Sequence, residues 1–388
     1  MSVLVPTKSS DQGFSISNII SRFRSKRGST SKRQQNAPGE AQVIYQDTRP
    51  PLIPSPLPLV LPEHQYTLPS LGWTTITFPQ PSQSPSSSSP LCLHPLQIAY
   101  ENLFEASQSF FALPSTEKNK WKHKLGSEEG WSSIPGEKEF ITLRTLEYCP
   151  GILRARAKTY WDLMGAYLED SLGRIASSLS IPPEELQRFV GPCATFPATE
   201  SDKTATMLRL FRYESWEPKV VAEPHADLGL LSVVVGNVPG LEVWDGHGWF
   251  DIEREVDRAQ RRGASLLVGR QLERLSNARY AAGGHQVVSY GDPNSLPTGQ
   301  LLSHGGKQHE KRYRFSIVFV LRAHEPVIID SDKLETGITG KWEEEMKGVT
   351  AGKFYETIRG QHFNINIGIR ERELQRRNIA RKKEGKTM

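Results

Sequence analysis

Apolar residues in the first half of the chain recur at helical intervals. Leu96, Tyr100, Leu103 and Phe104 share one face, as do Tyr160, Leu163, Ala166 and Tyr167, the repeat of amphipathic helices. Ser180-Ile181-Pro182-Pro183-Glu184-Glu185-Leu186 opens a further helix, with proline in the first turn where its missing N–H is harmless. From Ala205 to His324 the pattern changes to short β-branched or aromatic runs cut by Gly, Pro and Asp. Val233-Val234-Val235, Leu241-Glu242-Val243-Trp244 and Ser316 to Leu321 are the clearest. Many short antiparallel strands predict an α+β chain with a cupin-type jelly roll, the double-stranded β-helix, at its core. The helical half would cover that core. A helical C-terminal segment from about Lys341 to Arg381 would pack beside it or trail away.

The strand-rich half also carries the chemistry. In His225-Ala226-Asp227 the first and third side chains point the same way on a strand, so both can approach one ion. His285 opens Gln286-Val287-Val288-Ser289-Tyr290, a run that reads as a strand, and a double-sheet fold can bring it opposite. Two imidazoles and one carboxylate are the donor set of the facial triad that holds non-haem Fe(II) with open positions. A lone His-x-Asp is common by chance, so its companions matter. His304 and His309 are rival donors, although a Gly-rich polar loop more often leaves histidine solvated. His247, in Asp245-Gly246-His247-Gly248, reads as an exposed hairpin residue.

Arg314-Phe315-Ser316 supplies the second element. Arg314 and Ser316 share a strand face, and a guanidinium is a planar fork that grips a carboxylate through two bonds. The serine hydroxyl adds a donor. An anionic cosubstrate beside the metal would suit this pair. Arg312 lies on the same face and is the rival anchor, but only Arg314 makes the Arg-x-Ser spacing.

These motifs carry a family resemblance. Leu208-Arg209-Leu210-Phe211-Arg212-Tyr213 is followed by Pro224-His225-Ala226-Asp227-Leu228-Gly229, Gly240-Leu241-Glu242-Val243-Trp244 and Gly248-Trp249-Phe250-Asp251. Leu275-Ser276-Asn277-Ala278-Arg279-Tyr280, His285-Gln286-Val287-Val288 and Arg312-Tyr313-Arg314-Phe315-Ser316-Ile317 complete the order. From Met207 to Pro326 the chain resembles the isopenicillin N synthase-like branch of the Fe(II)/2-oxoglutarate-dependent dioxygenases. A fainter likeness runs through Phe110-Phe111-Ala112-Leu113-Pro114 and Gly130-Trp131.

The resemblance implies that His225, Asp227 and His285 ligate Fe(II). It implies that Arg314 and Ser316, assisted by the Tyr213 hydroxyl, bind the distal carboxylate of 2-oxoglutarate. An enzyme of this kind takes dioxygen and 2-oxoglutarate as cosubstrates, with ascorbate as a candidate reductant. It would oxidise a small organic molecule by hydroxylation, desaturation or cyclisation, with release of succinate and carbon dioxide. Two other outcomes stay open: an Fe(II) oxidase of the same family that does not consume 2-oxoglutarate, and a non-catalytic binding module. Trp131, Phe140 and Tyr148 are candidates for the pocket mouth.

The chain departs from the family in three places. Gly291 to Lys311 separates the distal histidine from Arg-x-Ser and reads as an inserted surface loop. Gly269-Arg270 stands where the family has Gly-Asp, and Asn277-Ala278 where it has Asn-Gly. The first of these exchanges a negative for a positive charge near the expected pocket rim.

Composition sets boundaries. With 388 residues the chain can bury a large core, but its apolar fraction is low at 37% and its 27 prolines are many. That deficit falls mostly near the ends. Residues 1–44 form a basic, Ser-, Arg- and Gln-rich leader expected to be disordered. Residues 45–198 form the mainly helical region with Pro- and Ser-rich loops at Pro50 to Pro62 and Pro81 to Pro90. The jelly-roll core takes 199–330, and 331–388 hold the C-terminal helical segment with its basic tail.

Three cysteines without paired spacing, Cys92, Cys149 and Cys193, fit a reducing, cytoplasmic setting. Residues 14–33, with Arg22, Arg24, Lys26, Arg27, Lys32 and Arg33 and no acidic residue, have the look of a mitochondrial transit stretch or a plain basic leader. Arg376-Arg377 with Arg381-Lys382-Lys383 is a nuclear-localisation-like patch or a solvated helix end. The longest apolar runs are too short to cross a bilayer. No basic groove interleaved with aromatics points to nucleic acid. A monomer acting on a small-molecule substrate is the expectation.

Overall fold

The computed structural model describes residues 47–78, 93–123, 128–215, 217–258, 262–291 and 313–384. The basic leader, the Pro81 to Pro90 stretch, Arg312 and the insertion with His304 and His309 lie outside the described residues.

Two antiparallel sheets face each other. The larger has the order β1-β9-β6-β11-β4-β3-β2 and the smaller the order β5-β10-β7-β8. In chain order the strands are β1 (Trp73–Phe78), β2 (Gly130–Ile134), β3 (Lys138–Leu143), β4 (Met207–Glu214), β5 (Pro218–His225) and β6 (Leu231–Gly236). They continue with β7 (Leu241–Trp244), β8 (Trp249–Asp251), β9 (Arg262–Val268), β10 (His285–Tyr290) and β11 (Tyr313–Leu321). This is the jelly roll that the strand pattern predicts.

Alternation along the strands assigns each side chain to a layer. On β11, Ile317, Phe319 and Leu321 join the larger core, and Val318 faces the smaller one between the sheets. β4 splits in the same way, with Leu208 and Leu210 outward and Phe211 and Tyr213 inward. β6 is buried along almost its whole length, as its unbroken valine run requires.

The outward face is covered by two long helices, α1 (Pro95–Ala112) and α2 (Gly151–Ser178). α1 starts where the His94 ring accepts from the Leu96 amide, with Pro95 in the first turn. Trp161 of α2 stacks on Phe196 at 4.5 Å and meets Phe319 of β11 edge-on at 5.2 Å. The helical half contributes more than a cover. β1 pairs with β9 at one edge of the larger sheet, and the β2–β3 hairpin pairs with β4 at the other. Pairing with partners far along the chain, rather than local pattern, makes β1 and β3 strands, and β2 follows as the hairpin partner of β3.

Short helices α3 (Ile252–Arg258) and α4 (Arg270–Leu275) flank β9. The C-terminal segment supplies α5 (Ala351–Arg359) and α6 (Ile369–Glu384). α6 is docked through Arg372, whose fully buried guanidinium donates to Glu223 at 2.9 Å and to Glu137 at 2.5 Å. A charge buried this far requires such partners. Among the described residues no helix is long and apolar enough to cross a membrane.

Candidate metal centre

β5 ends and β10 begins at one point of the smaller sheet, so His225 and His285 are register partners across the pair. Their ring centroids are 4.2 Å apart. Asp227 lies two residues past His225, with Oδ1 3.9 Å from His225 Nε2 and Oδ2 4.0 Å from His285 Nε2. The three donor atoms all lie within 4.8 Å of one another, the only such group of metal-binding side chains found among the described residues.

Each imidazole is oriented by its other nitrogen. His225 Nδ1 bonds the Glu223 carbonyl at 2.8 Å, and His285 Nδ1 bonds the Gly283 carbonyl at 3.0 Å. A carbonyl only accepts, so Nδ1 carries the proton and each Nε2 presents a lone pair to the centre. Burial, reinforced by His285, holds His225 well below the usual imidazole range, and the ring stays neutral. For Asp227, burial alone would raise the carboxyl. The electrostatic influence of His285, His225 and Arg322 outweighs it and brings the group below its usual range.

Asp227 Oδ2 is buried without a hydrogen-bond partner. An orphaned carboxylate oxygen is costly unless a cation meets it. Two imidazoles, one ionised carboxylate and an unsatisfied oxygen aimed at their common centre fit a divalent metal of the Fe(II) type.

The loop holding Asp227 is clamped by backbone. Arg270 N donates to the Asp227 carbonyl at 2.8 Å, Gln271 N to Gly229 O at 2.9 Å and Gly269 N to Leu230 O at 2.9 Å. What residue 270 gives the centre is therefore an amide N–H, which arginine supplies as well as aspartate. Its side chain pairs with Glu273 at 2.7 Å, both nearly buried. The positive charge that stands out in the sequence is neutralised one helical turn later.

On the facing sheet, Arg314, Tyr213 and Lys138 are register neighbours across β11, β4 and β3. Arg314 is buried and donates through Nη1 to Ser316 Oγ at 3.0 Å. Its guanidinium carbon lies 5.7 Å from the Tyr213 ring centre. Burial pushes the Tyr213 hydroxyl far up, so it remains a protonated donor. Arg314, Ser316 and Tyr213 are thus brought together as the sequence expects. Arg314 also bonds Val238 O through Nε and the Glu253 carboxylate through Nη2. Glu253 has no counterpart among the sequence-based expectations.

Two further cations line the inner face. Arg209 donates to Thr142 Oγ1 at 2.7 Å and lies over Phe140 at 5.4 Å. Lys138 is buried, with its ammonium 5.8 Å from the Phe211 ring and 3.2 Å from the Ile365 carbonyl. Both act on His225 electrostatically. Burial lowers Lys138 to about 7. Period-2 reading of β3 and β4 could have found them, because each shares a face with Phe140 or Tyr213.

A cavity of about 260 Å³ adjoins this wall, lined by His123, Glu128, Arg144, Arg322, Glu325 and Tyr355 among others. Arg322 pairs with Glu128 in that lining, and none of His225, Asp227 and His285 lines the cavity. Of the aromatics expected at the pocket mouth, Phe140 faces Phe211 on the inner side, at 5.5 Å. Trp131 instead packs on the helical side and donates to Glu139, and Tyr148 donates to the Lys122 carbonyl.

No family model matches the chain. It is 26% identical over 211 residues to jasmonate-induced oxygenase 4 of Arabidopsis thaliana, an alignment covering 48% of this chain and 56% of that protein. It is 25% identical over 275 residues to the 2-oxoglutarate-dependent dioxygenase ecdK of Aspergillus rugulosus, covering 59% and 76%. Full-length Neurospora crassa T7H, solved with alpha-KG and 5-formyluracil, superposes with a TM-score of 0.53 at 18% identity, covering 76% of this chain and 87% of that one. The chain thus spans little more than half of the first relative's length. That superposition shows a shared fold. Several relatives and structural neighbours are 2-oxoglutarate-dependent oxygenases by name or by bound cosubstrate, in line with the isopenicillin N synthase-like resemblance.

Proposed function

We propose that this chain is a non-haem Fe(II)- and 2-oxoglutarate-dependent dioxygenase that oxidises a small organic substrate. The observation that carries the proposal is the pairing of two sites across one barrel. The neutral His225, the ionised Asp227 and His285 converge on one sheet, and Arg314, Ser316 and Tyr213 stand together on the facing one.

His225, Asp227 and His285 would hold the metal. Fe(II) bound there supplies a redox centre at which dioxygen is reduced at the expense of 2-oxoglutarate, giving succinate, carbon dioxide and an oxidised substrate. Arg314 would bind the distal carboxylate, with the Ser316 and Tyr213 hydroxyls as further donors. The Nδ1 bonds of both histidines fix ring orientation, with His285 buried and His225 and Asp227 half-buried. Hydroxylation is the default outcome, with desaturation or cyclisation set by substrate pose. An intracellular setting accords with Cys149 and Cys193, both free and buried.

One observation favours a second reading, an Fe(II) oxidase that does not consume 2-oxoglutarate: Glu253 already engages Arg314. Succinate production separates the two. Turnover of any substrate with stoichiometric succinate supports the dioxygenase; turnover without it supports the oxidase. Neither iron binding nor turnover would leave a binding module.

A further inference from the structure

Arg314 is expected to grip a carboxylate, yet a carboxylate of this chain already sits on it. Glu253, in the first turn of α3, places Oε1 2.8 Å and Oε2 2.7 Å from Arg314 Nη2. The Leu241 amide donates to the same Oε2 at 2.8 Å, which fixes the glutamate in place. The other guanidinium nitrogens are also engaged, Nε by the Val238 carbonyl at 3.2 Å and Nη1 by Ser316 Oγ at 3.0 Å. Arg314 is 1% exposed and Glu253 13%, so water screens the pair poorly.

The walls leave Arg314 little freedom to turn elsewhere. Gly236 and Gly240 flank the guanidinium, and a Cβ at either would collide with it. Two-bond recognition of a carboxylate uses either both Nη arms or Nε with one Nη, and here Nη2 is held by Glu253 and Nε by Val238 O. One arm is taken, and the charge that would attract an anion is offset by a glutamate at contact distance.

Resting on the dioxygenase proposed above, we infer that Glu253 is an internal competitor for the 2-oxoglutarate anchor. It lowers what the distal carboxylate contributes to binding and relaxes selectivity for 2-oxo diacids over 2-oxo monoacids of the same length. An incoming distal carboxylate must displace Glu253 from Nη2 or share one guanidinium with it. Either course costs affinity, because two buried like charges then face a single positive one.

The test is calorimetric binding to iron(II)-loaded protein without oxygen, comparing 2-oxoglutarate with 2-oxopentanoate, which lacks the distal carboxylate. In the wild type the two ligands are expected to bind within about tenfold of each other. In Glu253→Gln, which keeps the shape and removes the charge, 2-oxoglutarate is expected to tighten by about tenfold or more while 2-oxopentanoate stays put. Binding of 2-oxoglutarate by Glu253→Gln alone, with none by the wild type, would also bear the inference out. Equal or weaker 2-oxoglutarate binding in the variant would overturn it and make Glu253 an orienting partner of Arg314. A wild-type preference for the diacid of about a hundredfold or more would overturn it without any variant, should Glu253→Gln fail to fold. If neither protein binds either oxoacid, the proposed function falls as well, a result distinct from the others.

Discussion

His225 and His285 face each other across one register pair of adjacent antiparallel strands, each with Nδ1 tied to the carbonyl two residues earlier. This symmetry fixes both Nε2 lone pairs on the space that Asp227 closes. Metal is therefore expected to stabilise the fold, by about 2.7 kcal/mol at a free concentration a hundred times its Kd. Thermal melts with and without Fe(II) under anaerobic conditions check this. Asp227→Ala should show no metal-dependent rise, and an equal rise in the variant would place the ion elsewhere.

Arg270 and Glu273 form a nearly buried pair beside the Asp227 loop. Arg270→Ala strands a carboxylate and is expected to destabilise the fold by about 3–5 kcal/mol in chemical denaturation. Iron affinity should stay close to wild type, because the backbone N–H to Asp227 O survives. A stability loss accompanied by loss of iron would mean that the side chain itself supports the centre.

Ala278 adopts the left-handed conformation, at φ 61. Its Cβ is strained there, so Ala278→Gly is expected to stabilise by about 1 kcal/mol. An unchanged or lower melting temperature would contradict the strain.

Lys138 is lowered to about 7 by burial, against an ordinary lysine value of 10.5. Below its folded value the ammonium is charged in both states, and the native state carries the whole cost of burying it. Between the two values the unfolded chain binds the extra proton, so stability rises with pH; above the ordinary value the cost is gone. Lys138→Met should accordingly stabilise most near about pH 6, with the advantage over wild type shrinking toward about pH 10. A difference that does not vary with pH would show that Lys138 is neutral or well paired throughout.

How far the sequence foretells this structure depends on whether the signal is local. The triad is legible because the donor types and the short His225–Asp227 spacing are local and His285 opens a β-branched strand, although Asp227 stands in the loop past β5 rather than on the strand that a two-residue repeat supposes. Arg314 and Ser316 obey that repeat. Glu253 is not legible, because it meets Arg314 across 61 residues of chain and reads locally as a solvated first-turn acid. The charge of Arg270 is misleading in isolation, since its function toward Asp227 is carried by backbone. β1 and β3 escape the helical pattern because strands more than sixty residues away pair with them, and β2 is then held as the hairpin partner of β3.

The most direct test of the central claim is an anaerobic titration of Fe(II)-loaded protein with 2-oxoglutarate, followed by visible absorption, with Asp227→Ala and Arg314→Ala alongside. A saturable metal-to-ligand charge-transfer band is expected in the wild type. Asp227→Ala should lack it, and Arg314→Ala should require more 2-oxoglutarate to reach it. Bound iron with no band at any 2-oxoglutarate concentration would contradict the pairing of a metal centre with a 2-oxoglutarate anchor in this barrel.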